Sequence, residues 1–128
     1  MKSQQQKRPV FLNLFKIHLP VTGYVSIAHR ISGAFLILAL PVLLYLLERS
    51  LSGPDGFAQV TTMLADPEIK LVALVGVWAI VHHFLAGIRF LLSDLHVGVA
   101  LRPARASAWA VNLGGIVLAF YIWGTWIL

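Results

Sequence analysis

Three charge-free apolar runs govern what this chain can fold into. They are Ile31–Leu47, Leu71–Ile88 and Ala106–Leu128, and the ten basic and five acidic side chains fall outside them in clumps. A bilayer-spanning helix needs about 17–25 residues at ~1.5 Å rise each, and each run reaches or nearly reaches that length. A soluble three-helix bundle would carry Lys and Glu along one face of every helix, and these runs carry neither. The 59% apolar content and the mean hydropathy of +0.82 agree. The sequence therefore predicts an all-α integral membrane protein, a single domain over residues 1–128. Its three transmembrane helices fall at approximately 24–48, 69–92 and 106–128.

The charges predict its orientation. Lys2, Lys7, Arg8 and Lys16 precede the first span, with no acidic residue before Glu48. The connection between spans one and two sets Arg49 and Lys70 against Glu48, Asp55, Asp66 and Glu68. The second connection sets Arg89, Arg102 and Arg105 against Asp94 alone. Basic connections stay on the cytoplasmic side, so the expectation is a cytoplasmic N-terminus and a periplasmic C-terminus. Tyr121, Trp123 and Trp126 then form the outer aromatic belt. The net charge of +5 and pI near 10.1 are thereby assigned to topology and anionic headgroups, not to nucleic acid. The polar start "MKSQQQKRPV" reads as neither a cleavable signal nor an Arg- and Ser-rich presequence, which points to a bacterial chain. The absence of cysteine excludes disulfides, thiolate-held iron–sulfur clusters and covalently attached haem, and leaves histidine chemistry open.

Placing the ionisable residues by depth brings two distant segments to one level. Ser26, His29 and Arg30 stand at the inner end of span one, and Arg89 and Asp94 at the inner end of span two. His83, six residues before Arg89, lies about 9 Å deeper. An ionisable side chain at that depth is rare and marks function by default. Its plain alternative is a neutral histidine bonded to a neighbouring helix. His82 and His83 point about 100° apart and cannot share a pocket. Ala79, Ala86 and Gly87 lie three or four residues from His83; small residues there equally suit tight helix packing, but as a slot beside a histidine they favour His83 as the functional one. Ser26 and Arg30 are i,i+4 and share a face, suited to a carbonyl oxygen or carboxylate. Their plain alternatives are a packing serine and an arginine snorkelling to headgroups. Asp94 reads as an ion-pair partner for Arg89, and His18 and His96 as exposed loop residues.

Together these residues form a more specific pattern. The stretch "KRPVFLNLFKIHLPVTGYVSIAHRISG" (7–33) resembles the N-terminal signature of the cytochrome b membrane-anchor subunits of succinate dehydrogenase. Those subunits read R-P, a short amphipathic stretch, then S-I-x-H-R-x-[ST]-G opening the first span. "HFLAGIRFLLSD" (83–94) resembles their second signature, H-x-x-x-G-[IL]-R-H-x-x-x-D. The two occur in the family's order, one span and one loop apart, and the resemblance covers essentially the whole chain.

The resemblance implies specific roles. His83 matches the histidine that gives one axial ligand to the iron of haem b. Ser26 and Arg30 match residues lining the ubiquinone site, and His29 with Arg30 the surroundings of the haem propionates. Asp94 matches the closing acid of the second signature, with no role attached. Phe90 stands where the family commonly has histidine, so no role is carried over there. The resemblance further implies a second membrane-anchor subunit sharing the haem and supplying its other ligand, although His29 is a candidate within this chain. It implies an iron–sulfur subunit and a flavoprotein subunit docked at the cytoplasmic face of a bacterial inner membrane, serving electron transport and the tricarboxylic acid cycle.

Lacking flavin and iron–sulfur motifs, the chain itself would not oxidise succinate; its part would be in quinone reduction. The opening residues of span one suit that part. A quinone is apolar, yet its two carbonyl oxygens must receive protons as electrons arrive. A hydroxyl at Ser26 and a cation at Arg30 meet both needs at the edge of the hydrocarbon. The alternatives are a fumarate reductase-type anchor working in the opposite direction and a haem-free structural membrane anchor. A transporter would want ionisable residues on both sides of the midplane, and the outer halves of these spans have none.

Overall fold

A computed structural model describes residues 18–126, and all their regular structure is helical. Four helices follow in order: α1 (Val21–Leu51), α2 (Pro54–Leu64), α3 (Pro67–Asp94) and α4 (Leu101–Trp126). Of these, α1, α3 and α4 are long and apolar enough to cross a membrane, as the three runs predict. The 31 residues of α1 make about 46 Å of helix against a hydrocarbon core of ~30 Å, so its ends reach headgroup level. The basic residues Lys2, Lys7, Arg8 and Lys16, the final two residues of the expected third span and the Trp126 side chain lie outside the description.

The helix starts and stops follow local chemistry. Pro67 opens α3 at a position whose N–H needs no partner, and the Asp66 carboxylate caps it, accepting from the Glu68 N–H at 2.8 Å. The short helix α2 corrects the expectation of a plain connection between the first two spans. Gly53, with φ 133°, turns the chain, and Pro54 and Asp55 then start a helix instead of ending in a loop. Gln59 ties α2 to the end of α1, its Oε1 accepting from Arg49 Nε at 3.2 Å and from Nη2 at 2.7 Å.

The central helix of the unit is α3, with α1 and α4 packed most extensively against it and touching each other besides. Val25, Ala86, Ala108 and Val111 form the buried cluster where the three meet. Small residues let helix backbones approach closely where no hydrophobic effect drives the helices together. Large apolar side chains point outward instead, among them Ile37, Leu38, Leu44, Phe84 and Val117. In water such a surface would aggregate; in a bilayer it is the face presented to lipid or to another subunit.

Polar bonds stitch α3 to α4 at three depths in one antiparallel register. At one end Arg89 donates to Ser107 Oγ (3.0 Å) and to the Ala104 carbonyl (3.2 Å). Midway, His82 Nε2 meets Asn112 Oδ1 at 3.1 Å. At the other end Trp123 Nε1 donates to the Lys70 carbonyl at 2.9 Å. Arg89 is thus committed to α4 rather than to Asp94, which is exposed. An arginine at the edge of the hydrocarbon gains more from a neighbouring helix's hydroxyl and carbonyl than from a carboxylate that water already solvates.

Candidate functional site

His82 and His83 are consecutive and face opposite ways. His82 is 1% exposed and lies against α4. His83 faces α1, where its ring stacks on that of His29 with centroids 4.0 Å apart and planes within 9°. Its Nδ1 stands 3.1 Å from the His29 carbonyl oxygen and 3.3 Å from Ser32 Oγ. A carbonyl only accepts, so Nδ1 carries the proton and Nε2 keeps its lone pair. Ser32 Oγ also donates to the His29 carbonyl, at 2.9 Å. Among the described residues nothing bonds His83 Nε2.

Glycines make this close approach possible. A Cβ on Gly33 would stand 2.9 Å from His83 Cε1, nearer than real side chains come, so no larger residue fits without moving the ring. A Cβ on Gly87 would stand 3.8 Å from His29 Nε2. Phe90 closes the cluster, its ring edge-on to His29 at 5.2 Å between centroids. The slot expected from Ala79 and Ala86 is filled instead: both are fully buried, Ala86 against Val25, Ala108 and Val111. The small residues beside the histidine pair are Gly33 and Gly87.

The structure therefore brings His29, His83 and Phe90 together at the junction of α1 and α3. Ser26 is half-buried on α1, one turn before Arg30, which is exposed and turned to the exterior of the three-helix unit. Among the described residues no group of three or more His, Asp or Glu gathers as for a metal held by protein alone. An iron already held in a macrocycle asks less, needing only one or two axial protein ligands. A histidine whose Nδ1–H is anchored to a backbone carbonyl, leaving Nε2 as the basic nitrogen, is how ligating histidines are oriented. The residues present fit the group.

Sequence reasoning missed two parts of this arrangement. Nothing in the residue types announces that the His29 carbonyl is the anchor for His83. Gly33, although inside the quoted signature, was not singled out; a glycine one turn beyond a histidine at a helix threshold was the available signal.

Fold and site define a class: a small helical membrane subunit with three spans and an interhelical histidine pair near one end. The chain belongs to the succinate dehydrogenase/fumarate reductase transmembrane subunit family, whose model matches residues 4–122. It is 37% identical over 122 residues to the succinate dehydrogenase cytochrome b556 subunit of Coxiella burnetii, covering 94% of this chain and 97% of that one. The subunit of the same name from Paracoccus denitrificans is 29% identical over 112 residues, covering 88% and 86%. That of Rickettsia felis is 29% identical over 117 residues, covering 91% of each. The chain is thus a membrane subunit of the succinate dehydrogenase type.

Proposed function

We propose that this chain anchors a succinate dehydrogenase in a bacterial inner membrane, binds haem b through His83 and contributes Ser26 and Arg30 to a ubiquinone-reduction site. The observation that carries the reading is the orientation of His83. Its Nδ1–H is fixed on the His29 carbonyl and its Nε2 is left basic, with the ring packed so close to Gly33 that no side chain fits there. His82 is the weaker ligand, with one nitrogen on Asn112 and the other sealed in the helix interface. Haem b, when bound, supplies a one-electron carrier inside the membrane. A second anchor subunit would share it and supply the iron's other protein ligand. The exposed face of α1 and α3 beside the histidine pair is where that subunit packs.

The chain's own residues set the stage for the quinone. Arg30 faces out of the unit at the edge of the hydrocarbon, so a headgroup arriving along the lipid meets a fixed cation. The guanidinium favours the negative charge that develops on a quinone oxygen during reduction, and the Ser26 hydroxyl donates a hydrogen bond to the same headgroup. With His29, Arg30 also supplies a basic boundary for the haem propionates. This end of the unit faces the cytoplasm, where the iron–sulfur and flavoprotein subunits dock and bring electrons from succinate.

The test is a dithionite-reduced minus air-oxidised visible spectrum of the complex purified through a tag on this chain. The wild type and the His82→Leu variant are expected to show a b-type α band, and His83→Leu to lose it at least tenfold. A wild-type complex with its partner subunits intact and no haem band would sink the cofactor assignment.

A further inference from the structure

We infer that His82 and Asn112 form a polar lock that fixes the rotation of α3 about its own axis and thereby aims His83, so that both are positioning residues for the ligand side chain. The inference rests on the haem reading above and extends it to the opposite seam of the unit.

The His82 ring is almost wholly buried, at the wall of a cavity that it lines together with Trp78, the half-buried Asn112 and residues of α1. His82 sits between Ala79 and Ala86 on the buried face of α3, and all three are at most 1% exposed. Asn112 Oδ1 faces the ring at 3.1 Å, so Nε2 carries the proton and donates it. On the α4 side the ring lies against Gly115, where a Cβ would be 3.5 Å away, and Trp78 tilts over it at 5.3 Å between centroids. Its Nδ1 is buried and, among the described residues, has no hydrogen-bond partner.

An arrangement that leaves a buried acceptor unpaired is a poor way to hold two helices together. A pair of apolar residues of similar volume would fill the same space without that cost. What a polar pair adds is direction. The rest of the seam is built from Ala, Gly and Val, whose contacts tolerate small rotations and slips, whereas a hydrogen bond between two short side chains fixes one register. The other two stitches are less restrictive. Arg89 is long and flexible, and Trp123 reaches a backbone carbonyl at the far end.

His83 is the next residue in the chain, about 100° around the same helix. A rotation of α3 by about 20° would carry a ring ~6 Å from the axis through roughly 2 Å, and functional geometry tolerates only ~0.5 Å or 10–20°. Such a rotation would break the 3.1 Å bond from His83 Nδ1 to the His29 carbonyl and drive the ring against Gly33.

The experiment compares three full-length forms in the assembled complex: wild type, the His82→Leu/Asn112→Leu double variant and the His82→Asn/Asn112→His exchange. The double variant is expected to assemble and retain haem, but with a shifted haem midpoint potential and a broadened low-spin electron paramagnetic resonance signal. The exchange is expected to restore a single sharp signal. Wild-type potential and line shape in the double variant would overturn the inference, and so would loss of assembly, which would make the pair simple glue. A wild type without haem would break the haem reading alone. The lock is then decided on the haem-free full chain in nanodiscs, from the imidazole nitrogen-15 shifts of His83, assigned with His83→Leu. One Nδ1-protonated form in wild type and mixed tautomers in the double variant support it; one unchanged form in both overturns it.

Discussion

The two seams of α3 are built on opposite principles. Toward α4 the helices are bridged: Arg89, His82 and Trp123 each bond across the seam, and Gly115 packs against the His82 ring. Toward α1 the contact at the same depth is a close stack, with two parallel imidazoles and a glycine where a side chain would collide with the His83 ring. Adjacent histidines on one helix thus have different chemistry, because helix geometry sends them to different seams. His82 has both nitrogens enclosed, whereas His83 has one nitrogen anchored and one kept basic. A histidine is made structural or functional here by what faces it, not by its depth in the membrane.

The comparison breaks most sharply at the glycines. Gly33→Leu has to displace His83, because even a Cβ would stand 2.9 Å from its ring. Haem content per complex is expected to fall at least tenfold, measured as the pyridine haemochromogen against protein. Gly115→Ala meets His82 at 3.5 Å, an ordinary contact, and is expected to keep wild-type haem content. Equal losses in both would mean that the two seams are equally tight and that the contact of Gly33 with His83 is not special.

A second contrast separates the two arginines near this end. Arg30 is exposed and among the described residues bonds to no group that would occupy its charge, whereas Arg89 spends its donors on Ser107 and Ala104. Arg30→Gln is expected to lower kcat/KM for quinone reduction by roughly 10²-fold at unchanged haem content, the scale of losing one donor to a developing anion. Arg89→Gln is expected to leave KM for quinone alone and to cost about 1.5–3 kcal/mol of stability, as for a lost hydrogen bond from a charged group. If Arg89→Gln raised the quinone KM while Arg30→Gln did not, the roles would be exchanged.

Much of this was legible in the residue order. The three apolar runs give the three spans, since only a helix satisfies its own backbone in lipid. Helix geometry alone says that His82 and His83 diverge, and the two signatures carry the family. What was not legible depends on how helices rotate against one another. Ala79 and Ala86 lie within one turn of both histidines, so periodicity does not say which of them shares their seam; both are fully buried, and Ala86 lies where the three long helices meet. The carbonyl that anchors His83 has no letter in the sequence. Arg89 has Asp94 five residues away, yet its bond goes to a serine eighteen residues on. And α2 hid behind "SGPDG", where the same Gly and Pro that end one helix begin the next.

The smallest expected effect lies at the far end of the α3–α4 seam. Trp123→Phe keeps an aromatic ring, though a smaller one, and removes the Nε1–H that reaches the Lys70 carbonyl at 2.9 Å. Lys70 opens the apolar run of α3 one turn after Pro67, so its carbonyl is already engaged in the ordinary bonding of a helix and loses only a second partner. Interhelical hydrogen bonds in membranes average ~0.6 kcal/mol, about a threefold change in the folded-to-unfolded ratio. Denaturant titration of the full chain in mixed micelles should show a shift of that size, with haem content and quinone kinetics unchanged. A shift several times larger would mean that Trp123 carries the seam at this end, and that the α4 side of α3 depends on its aromatic belt more than on the bond between His82 and Asn112.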